Sequence, residues 1–406
     1  MLKMKPVYLL MFVTLITHMS LFGTRMDVAL FALHLGASPA TVGLLTALFG
    51  LLPVLLSIGI GRWADRVGSR KPMLAGGALL AVGMVVGFAF GNLISLYLVA
   101  LIAGLGYNFY FIAQQHLAGR IGRPEELATN LSLTSMSFSL SGFISPIVTG
   151  LAIDHVGTRP TFLILAALAV CGMIMVASNR AVFTSKSPSG DQRHGAAQAP
   201  AGKARGGAWD LLRQTKLRRI YIVAVLSQST WDTFNVLMPI YGTEHGFSAS
   251  LIGVVLGVFS IATLVIRLLL PMLSRHLKPW QMLLISLGGS SITYFGIPLV
   301  DSMTPLIALA VWLGFVLGLA APMLLVLIHQ VSPPGRIGEA VGLRVTLMSA
   351  SQTGIPLAAG SIVSLLGLTS MFWMLALMFA SGAWFNRARW HPDLPGRADG
   401  GEQDQG

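Results

Sequence analysis

Long apolar runs recur along almost the whole sequence, and they constrain the fold more than any other feature. Most of them are about 20 residues long or longer, enough for an α-helix to cross a hydrocarbon core of about 30 Å. Only 10% of the residues are charged, whereas a soluble domain carries about a quarter. The runs therefore predict an all-α membrane protein with twelve transmembrane helices. They cover residues 7–35, 39–60, 73–91, 93–118, 128–153, 159–181, 218–243, 249–272, 280–300, 304–329, 338–365 and 368–387.

Basic residues alternate between successive loops, which indicates how the helices cross the membrane. One set of loops contains nearly all of the basic residues, whereas the other set contains Arg159 and almost nothing else basic. Because positively charged loops remain in the cytoplasm, both termini are expected on the cytoplasmic side of a cell inner membrane. The net charge of +12 follows from this topology, so it does not indicate a nucleic-acid partner.

The two halves of the chain repeat each other at a constant offset of 210 residues. The matching pairs are Gly36 with Gly246, Gly104 with Gly314, Pro146 with Pro356, and Gly150 with Gly360. Two six-helix bundles related by a pseudo-two-fold axis along the membrane normal are a transporter architecture, with the binding site between them. The predicted organisation is an N-terminal six-helix bundle (1–183), a cytoplasmic linker (184–217), a C-terminal six-helix bundle (218–390) and a cytoplasmic tail (391–406).

The loop between the second and third runs carries a motif with a known counterpart. Residues 61–71 read Gly-Arg-Trp-Ala-Asp-Arg-Val-Gly-Ser-Arg-Lys. This segment resembles the G-x-L-A-D-R-x-G-R-K signature that the major facilitator superfamily (MFS) carries at the same place, with Trp63 and Ser69 as departures. The resemblance in layout covers about residues 6–390, and it implies the MFS fold of a bacterial efflux-type transporter.

The resemblance also implies that this loop belongs to a gate, with Gly61, Asp65, Arg66, Gly68 and Arg70 as its residues. The two glycines are expected to permit a tight turn where the helices leave the membrane. Family members dock the aspartate on the positively charged start of the eleventh helix, which lies around residues 338–344 here. Arg344 is therefore an expected additional partner of Asp65.

A second family signature, typical of antiporters, is only partly present in the fifth run. Pro146 and Gly150 match it, while three small polar residues stand where glycine is usual. Ala100 also occupies the place of a fourth-helix arginine that many members use in proton coupling. The antiporter resemblance is therefore weaker than the resemblance of the 61–71 loop.

Three charged residues lie deep inside the apolar runs: Arg25, Asp27 and Asp232. Each costs about 2.5–3.5 kcal/mol at the centre of a membrane helix, so a role in transport is favoured over a structural ion pair. Arg25 and Asp27 are two positions apart and therefore point to different faces of the first helix. The sequence leaves open which face lines the cavity, and the longer polar stripe favours the Asp27 face.

Polar and aromatic side chains on other predicted helices complete the candidate site. The predicted substrate contacts are Arg25, Asp27, Tyr107, Tyr110, Gln114, Gln228, Trp231, Asp232 and Asn235. Asp27 and Asp232 are also the candidate proton carriers, because burial favours the neutral form of a carboxyl group. Asp27 is preferred for that role, since Asp232 lies in a polar seam with two amides and resembles a substrate contact.

These features favour a secondary active transporter that exports an amphipathic organic compound and is driven by protons. The alternative is uptake of a small carboxylate or a hydroxylated metabolite, with Arg25 as the anion anchor. A third possibility is a receptor or scaffold that moves nothing. The sequence contains no ATPase or hydrolase motif, so we expect no enzyme activity, no cofactor and no metal. The expected partners are a small-molecule substrate, protons and membrane lipid, with the chain as a monomer.

A reporter protein fused after Gln192 or at the C-terminus is expected to lie in the cytoplasm, because the basic loops share that side of the membrane. The measurement is the activity of a phosphatase reporter, which requires the periplasm. Activity at either position would contradict the twelve-helix layout.

Overall fold

The computed structural model describes residues 6–119, 121, 127–183, 208–300, 302–333 and 336–387. The described residues form helices joined by short turns, and they include no β-strand. The first half contributes α1 (Pro6–His34), α2 (Pro39–Val67), α3 (Arg70–Phe90), α4 (Leu93–Ala118), α5 (Leu127–Val156), α6 (Thr158–Ser178) and the short α7 (Arg180–Phe183). The second half contributes α8 (Thr215–Glu244), α9 (Ala249–Leu273), α10 (Pro279–Gly296), α11 (Met303–Gly318), α12 (Ala320–Val331), α13 (Ile337–Leu366) and α14 (Leu368–Arg387).

The helices follow the predicted apolar runs, and one run is interrupted. Helices α11 and α12 share the tenth run and are separated by Leu319. Ten segments of the described chain are long and apolar enough to span a membrane. Helices α8 and α13, with 30 residues each, occupy the two remaining positions of the repeat. The prediction of an all-helical membrane protein is confirmed.

The segment predicted as a linker is partly helical. Ala208–Arg213 forms a 3₁₀ turn, and α8 begins at Thr215, before the predicted end of the linker. Residues 184–207 and the predicted tail lie outside the described residues.

The two halves are built around the same close helix contacts, as the 210-residue repeat predicts. A Cβ atom added to Gly104 of α4 would collide with the carbonyl oxygen of Phe49 in α2. The equivalent Gly314 of α11 lies against the carbonyl oxygen of Phe259 in α9, and these two phenylalanines are also 210 positions apart. Helices in lipid associate through close packing of this kind, because lipid tails are as apolar as the side chains. Each half therefore uses a glycine to bring its second and fourth spans together.

The two halves contact each other closely at one end of the bundle, which we call the closed end. It contains the starts of α2 and α9 and the ends of α5 and α13. Gly43 of α2 lies against the carbonyl oxygen of Pro356 in α13, and Gly253 of α9 lies against that of Pro146 in α5. A side chain at either glycine would push the halves apart. The opposite end, which holds the 61–71 loop, is called the basic end.

A carboxylate of one half caps a helix of the other half at the closed end. Asp154, in the last turn of α5, accepts hydrogen bonds of 2.9 Å from the backbone N–H groups of Ala249 and Ser250. These groups open α9, where the helix dipole is positive and favours an anion. At the equivalent place in the repeat, the uncharged Ser364 accepts a 2.9 Å hydrogen bond from the N–H of Ala40 in α2. The α5–α9 seam therefore has the stronger of the two caps.

Replacing Asp154 by asparagine is expected to loosen the closed end. The substitution removes a charge–dipole interaction of about 0.3–2 kcal/mol. This corresponds to a roughly 2- to 30-fold shift of the equilibrium toward the conformation in which the two halves have separated at the closed end. Ser260 lies between the halves, beside Gly142 of α5. In a Cys171→Ser, Ser260→Cys background, a membrane-impermeant maleimide added on the side of the closed end should label Asp154→Asn faster by a similar factor.

The matched control is Glu244→Gln, which removes an exposed carboxylate from the same end of the bundle. It should leave the labelling rate unchanged. Equal rates for Asp154→Asn and its parent would show that this cap does not hold the end shut.

Candidate functional site

A cavity of about 650 Å³ lies between the two halves. It extends from Arg25 in α1 to Arg267 and Arg344, which lie in the basic-end portions of α9 and α13. A smaller lobe of about 60 Å³ continues it toward the closed end and shares Arg25 and Trp231 with it. Helices of both halves line these spaces, so a bound molecule would contact both halves.

Three arginine side chains give the main cavity its positive charge. Arg25, Arg267 and Arg344 line it, and the Nε atom of each is buried without a hydrogen-bond partner in the described structure. The described residues that line the main cavity include no aspartate or glutamate. A buried donor without a partner costs about 1–3 kcal/mol, and more when it is charged. An anionic ligand in the cavity would compensate the three positive charges.

One carboxylate, that of Asp232, lies in the smaller lobe together with Arg25. Its Oδ1 atom accepts a 3.0 Å hydrogen bond from Nε2 of Gln228, while its Oδ2 atom is buried and has no partner in the described structure. Asn235 donates from Nδ2 to the carbonyl oxygen of Trp231 at 2.8 Å. The lobe therefore holds a cation from the first half and a carboxylate from the second half in one small space.

Aromatic rings form much of the wall that the first half contributes to the cavity. The rings on this wall are His18 and Phe22 of α1, Tyr107 and Phe111 of α4, and Phe138 of α5. Arg25 extends the wall, since its Cζ atom lies 5.4 Å from the centroid of the Phe49 ring. Such a wall can pack against the apolar body of an organic ligand while the arginines bind its charge.

The structure places six of the nine predicted substrate contacts on the cavity or its lobe: Arg25, Tyr107, Gln228, Trp231, Asp232 and Asn235. Asp27, Tyr110 and Gln114 are buried and line neither space. The Tyr110 hydroxyl shares a 3.2 Å hydrogen bond with Thr14. Both carboxylate oxygens of Asp27 and both amide atoms of Gln114 have no partner in the described structure.

The face of α1 that carries Asp27 does not line the cavity, which corrects the preference for the longer polar stripe. Ser20 on that face donates to the carbonyl oxygen of Leu165 in α6 at 2.7 Å. Gly23 packs against the side chain of the same leucine. Small polar residues on this face therefore serve close packing within the first half. The cavity is lined by the face that carries Arg25.

Several cavity residues were not predicted from the sequence. His18 and Phe22 precede Arg25 by seven and three positions on one helical face, so the helical period could have identified them. Arg267 lies near the end of its helix, where a long basic side chain can extend to the membrane surface without any functional role. No sequence signal distinguishes it from such a residue.

The 61–71 loop does not dock on α13 in this structure. Oδ1 of Asp65 lies 3.5 Å from Nε2 of His116 near the end of α4, and the Asp65 side chain is 67% exposed. Arg344, its expected partner, lines the cavity instead. The predicted contact between Asp65 and the eleventh helix is therefore not formed in this conformation, in which the halves meet at the opposite end.

Only one of the two glycines assigned to the gate makes a turn. Gly68 follows the last residue of α2 with a φ of 80°, a conformation that favours glycine. Gly61 lies inside α2, where a Cβ atom would meet open space. The expectation for Gly61 is wrong because α2 continues for about two turns beyond the apolar run.

Arg70 joins two helices of the first half. Its Nη2 atom donates to the carbonyl oxygen of Ala177 at the end of α6 at 2.9 Å. Arg159, at the start of α6, donates in return to the carbonyl oxygen of Ala89 at the end of α3 at 2.8 Å. Each arginine therefore caps the C-terminus of the neighbouring helix, where the dipole favours a cation. Arg66 lies exposed in the last turn of α2, which is also a favourable place for a cation.

Comparison with known proteins identifies relatives that are transporters. The chain is 22% identical over 360 residues to Sugar efflux transporter A of Escherichia coli (strain K12), a match that covers 85% of this chain and 86% of that protein. It is 30% identical over 207 residues to Monocarboxylate transporter 6 of Homo sapiens. That second match covers 48% of this chain and only 39% of the human protein.

Solved transporter structures share the fold over nearly the whole chain. The nucleoside transporter NupG has a TM-score of 0.74 at 15% identity, over 96% of this chain and 100% of that one. A POT family transporter in complex with a thioalcohol-conjugated peptide has a TM-score of 0.75 at 16% identity, over 93% of this chain and 94% of that one. The family model of the Major Facilitator Superfamily matches residues 10–352. The chain therefore belongs to the Major Facilitator Superfamily, as a multi-pass secondary transporter of a small solute.

Proposed function

We propose that the transported solute is a small organic anion, carried by alternating access between the two halves. The observation that carries this proposal is the set of three arginines on a cavity whose described lining includes no acidic residue. A neutral or cationic solute would leave the positive charge of these guanidinium groups uncompensated, with their buried Nε atoms still without partners. A carboxylate can accept two parallel hydrogen bonds from one guanidinium group and satisfy them.

Arg25 is the proposed anchor for the anion. It lines both the main cavity and the lobe, and the Phe49 ring beside it restrains its guanidinium group. Arg267 and Arg344 lie closer to the basic end, so they raise the local concentration of anions that enter from that side. Tyr107, Gln228 and Trp231 supply apolar surface and hydrogen bonds for the rest of the molecule.

The proposed conformational state is open toward the basic end. The glycine contacts and the Asp154 cap at the closed end support this assignment, as does the undocked Asp65 at the basic end. If the basic loops are cytoplasmic, as the charge distribution indicates, the state is inward-facing and both termini lie in the cytoplasm. In the outward-facing state we expect Asp65 to reach α13 while the Asp154 cap breaks.

Asp232 is the proposed site of proton coupling. It shares the lobe with Arg25, so its ionised form competes with the substrate anion for the same guanidinium group, whereas its protonated form does not. A bound proton therefore favours the bound anion, which is the differential affinity that coupling requires. Asp27 remains the other candidate, although its carboxylate does not line the cavity. This mechanism is symport, and it favours uptake of a carboxylate.

Proton-driven export of an amphipathic compound is the second candidate. The aromatic wall of the cavity favours it, and the Escherichia coli relative that matches most of the chain is named a sugar efflux transporter. The two candidates differ in the sign of the coupling. A symporter accumulates its substrate on the alkaline side of a pH gradient, whereas a proton antiporter accumulates it on the acidic side.

Arg25→Gln is expected to reduce the transport of organic anions by about 10-fold or more, because a hydrogen bond to a charged group contributes about 1.5–3 kcal/mol. The measurement is uptake of radiolabelled carboxylates into proteoliposomes with an acidic exterior. Arg213→Gln is the matched control, since the Arg213 side chain is 89% exposed and lies outside the cavity. Transport of uncharged or cationic compounds that does not depend on Arg25 would contradict the proposal.

Asp232→Asn is expected to abolish the effect of a pH gradient on uptake while leaving exchange of labelled for unlabelled anion intact. Asparagine resembles the neutral carboxyl group, so the anion site remains while the proton site is lost. Asp27→Asn removes the other membrane-embedded carboxylate and is expected to retain gradient-driven uptake. Loss of gradient-driven uptake in Asp27→Asn alone would assign the coupling to Asp27, and retention in both variants would exclude proton coupling by either residue.

A further inference from the structure

The imidazole ring of His18 is fixed within the aromatic wall of the cavity. Its centroid lies 5.4 Å from the ring of Phe22 in α1, 5.6 Å from that of Tyr107 in α4 and 5.1 Å from that of Phe138 in α5. Contacts from three helices leave the imidazole ring little freedom to rotate. Its ring nitrogens therefore have fixed directions relative to a ligand in the cavity.

The hydrogen bonds around His18 determine which of its nitrogens carries a proton. Nδ1 is hydrogen-bonded to Oγ of Ser141 in α5. Ser141 donates its hydroxyl proton to the carbonyl oxygen of Phe138 at 2.9 Å. Since a hydroxyl group has only one proton to donate, and that of Ser141 goes to Phe138, this pattern assigns Nδ1 as the donor in the bond between His18 and Ser141. Nε2 of the neutral ring then has no proton and is a hydrogen-bond acceptor.

The charges around the cavity favour the neutral ring. Arg25 follows His18 by seven positions on the same face of α1, and Arg267 and Arg344 line the same space. A further positive charge on the imidazole would be repelled by these guanidinium groups. Among the described residues that line the cavity and its lobe, the acidic one is Asp232, and its carboxylate already accepts a hydrogen bond from Gln228. Nε2 of His18 is therefore a hydrogen-bond acceptor in a cavity whose arginine side chains can only donate hydrogen bonds.

We propose that His18 determines substrate specificity by accepting a hydrogen bond at Nε2 from a hydroxyl group of the substrate, so that the preferred substrates are hydroxylated carboxylates. The inference rests on the proposed transport of organic anions and names the class of anion. An ionised carboxylate has no proton to donate, so the group that binds the arginines cannot also satisfy Nε2, whereas a second, donating group on the same molecule can. A protonated amine would be repelled by the three arginines, whereas a hydroxyl group is an uncharged donor that can sit beside a carboxylate on a small molecule.

Two substitutions separate the role of Nε2 from the packing of the ring. His18→Asn places an amide nitrogen near the position of Nδ1, so it can still donate to Ser141, but it has no atom at the position of Nε2. His18→Gln reaches further and places an amide oxygen near the position of Nε2. The two variants are similar in polarity. A difference between them in the preference for hydroxylated anions therefore shows the effect of an acceptor atom at the position of Nε2.

The experiment is calorimetric titration of the full chain in lipid nanodiscs with matched pairs of anions. The pairs are lactate with propionate, malate with succinate, and mandelate with phenylacetate, with both enantiomers of each chiral anion tested. In wild type, for each pair that binds, the hydroxylated anion is expected to bind roughly fivefold tighter or more than the anion without the hydroxyl group. The reason is that only the hydroxylated anion donates a hydrogen bond to Nε2 of His18. His18→Asn should bind the two members about equally, and His18→Gln should keep most of the preference.

Two results would overturn the assignment of His18: equal binding of both members by wild type, or an unchanged preference in His18→Asn. Failure of the proposed organic-anion function has a different signature. In that case no anion of the panel binds, or binding is the same in Arg25→Gln as in wild type. Thermal unfolding of each variant in the same nanodiscs verifies that the protein is folded.

Discussion

The two halves approach each other most closely at the closed end, and this contact determines where the bundle can open. Apolar side chains gain little by leaving lipid for another helix, so membrane helices are joined by backbone proximity and polar contacts. Gly43 and Gly253 bring the backbone of each half against a carbonyl oxygen of the other half. Asp154 adds a charge on a helix N-terminus at the same end. These contacts lie at the closed end, so the halves can separate toward the basic end and enclose a cavity between them.

The cavity explains why the chain tolerates charges at membrane depth. A guanidinium group is costly in hydrocarbon but much less so beside a space that admits water and ligand. Arg25 belongs to the first half, whereas Arg267 and Arg344 belong to the second. An anion bound between them contacts both halves, so its affinity depends on how the halves are arranged. Binding at the site and the conformation of the bundle are therefore linked.

The fold was predictable in detail because membrane helices are specified locally. Run length defined the spans, and the offset between Gly104 and Gly314 anticipated equivalent contacts in the two halves. The direction of the spans, which loop charge indicates, stays a prediction. The site was only partly predictable. The position of Arg25 and Asp232 deep in the membrane identified them as residues of the site. The polar stripe around Asp27, in contrast, packs against other helices of the first half. Small polar residues look alike in sequence whether they pack against a helix or line a cavity. The docking of Asp65 depends on a conformational state, which motif spacing does not specify.

The most direct test of alternating access is a pair of spin-label distances in a Cys171→Ser background. One pair joins His34 and Glu244 at the closed end, and the other joins Arg66 and His276 at the basic end; both pairs are exposed and related by the repeat. In nanodiscs, a transported anion and a change of pH are expected to shift the two distance distributions in opposite directions, with the closed-end pair lengthening as the basic-end pair shortens. Distances that stay constant under every condition, or that lengthen together, would contradict the account.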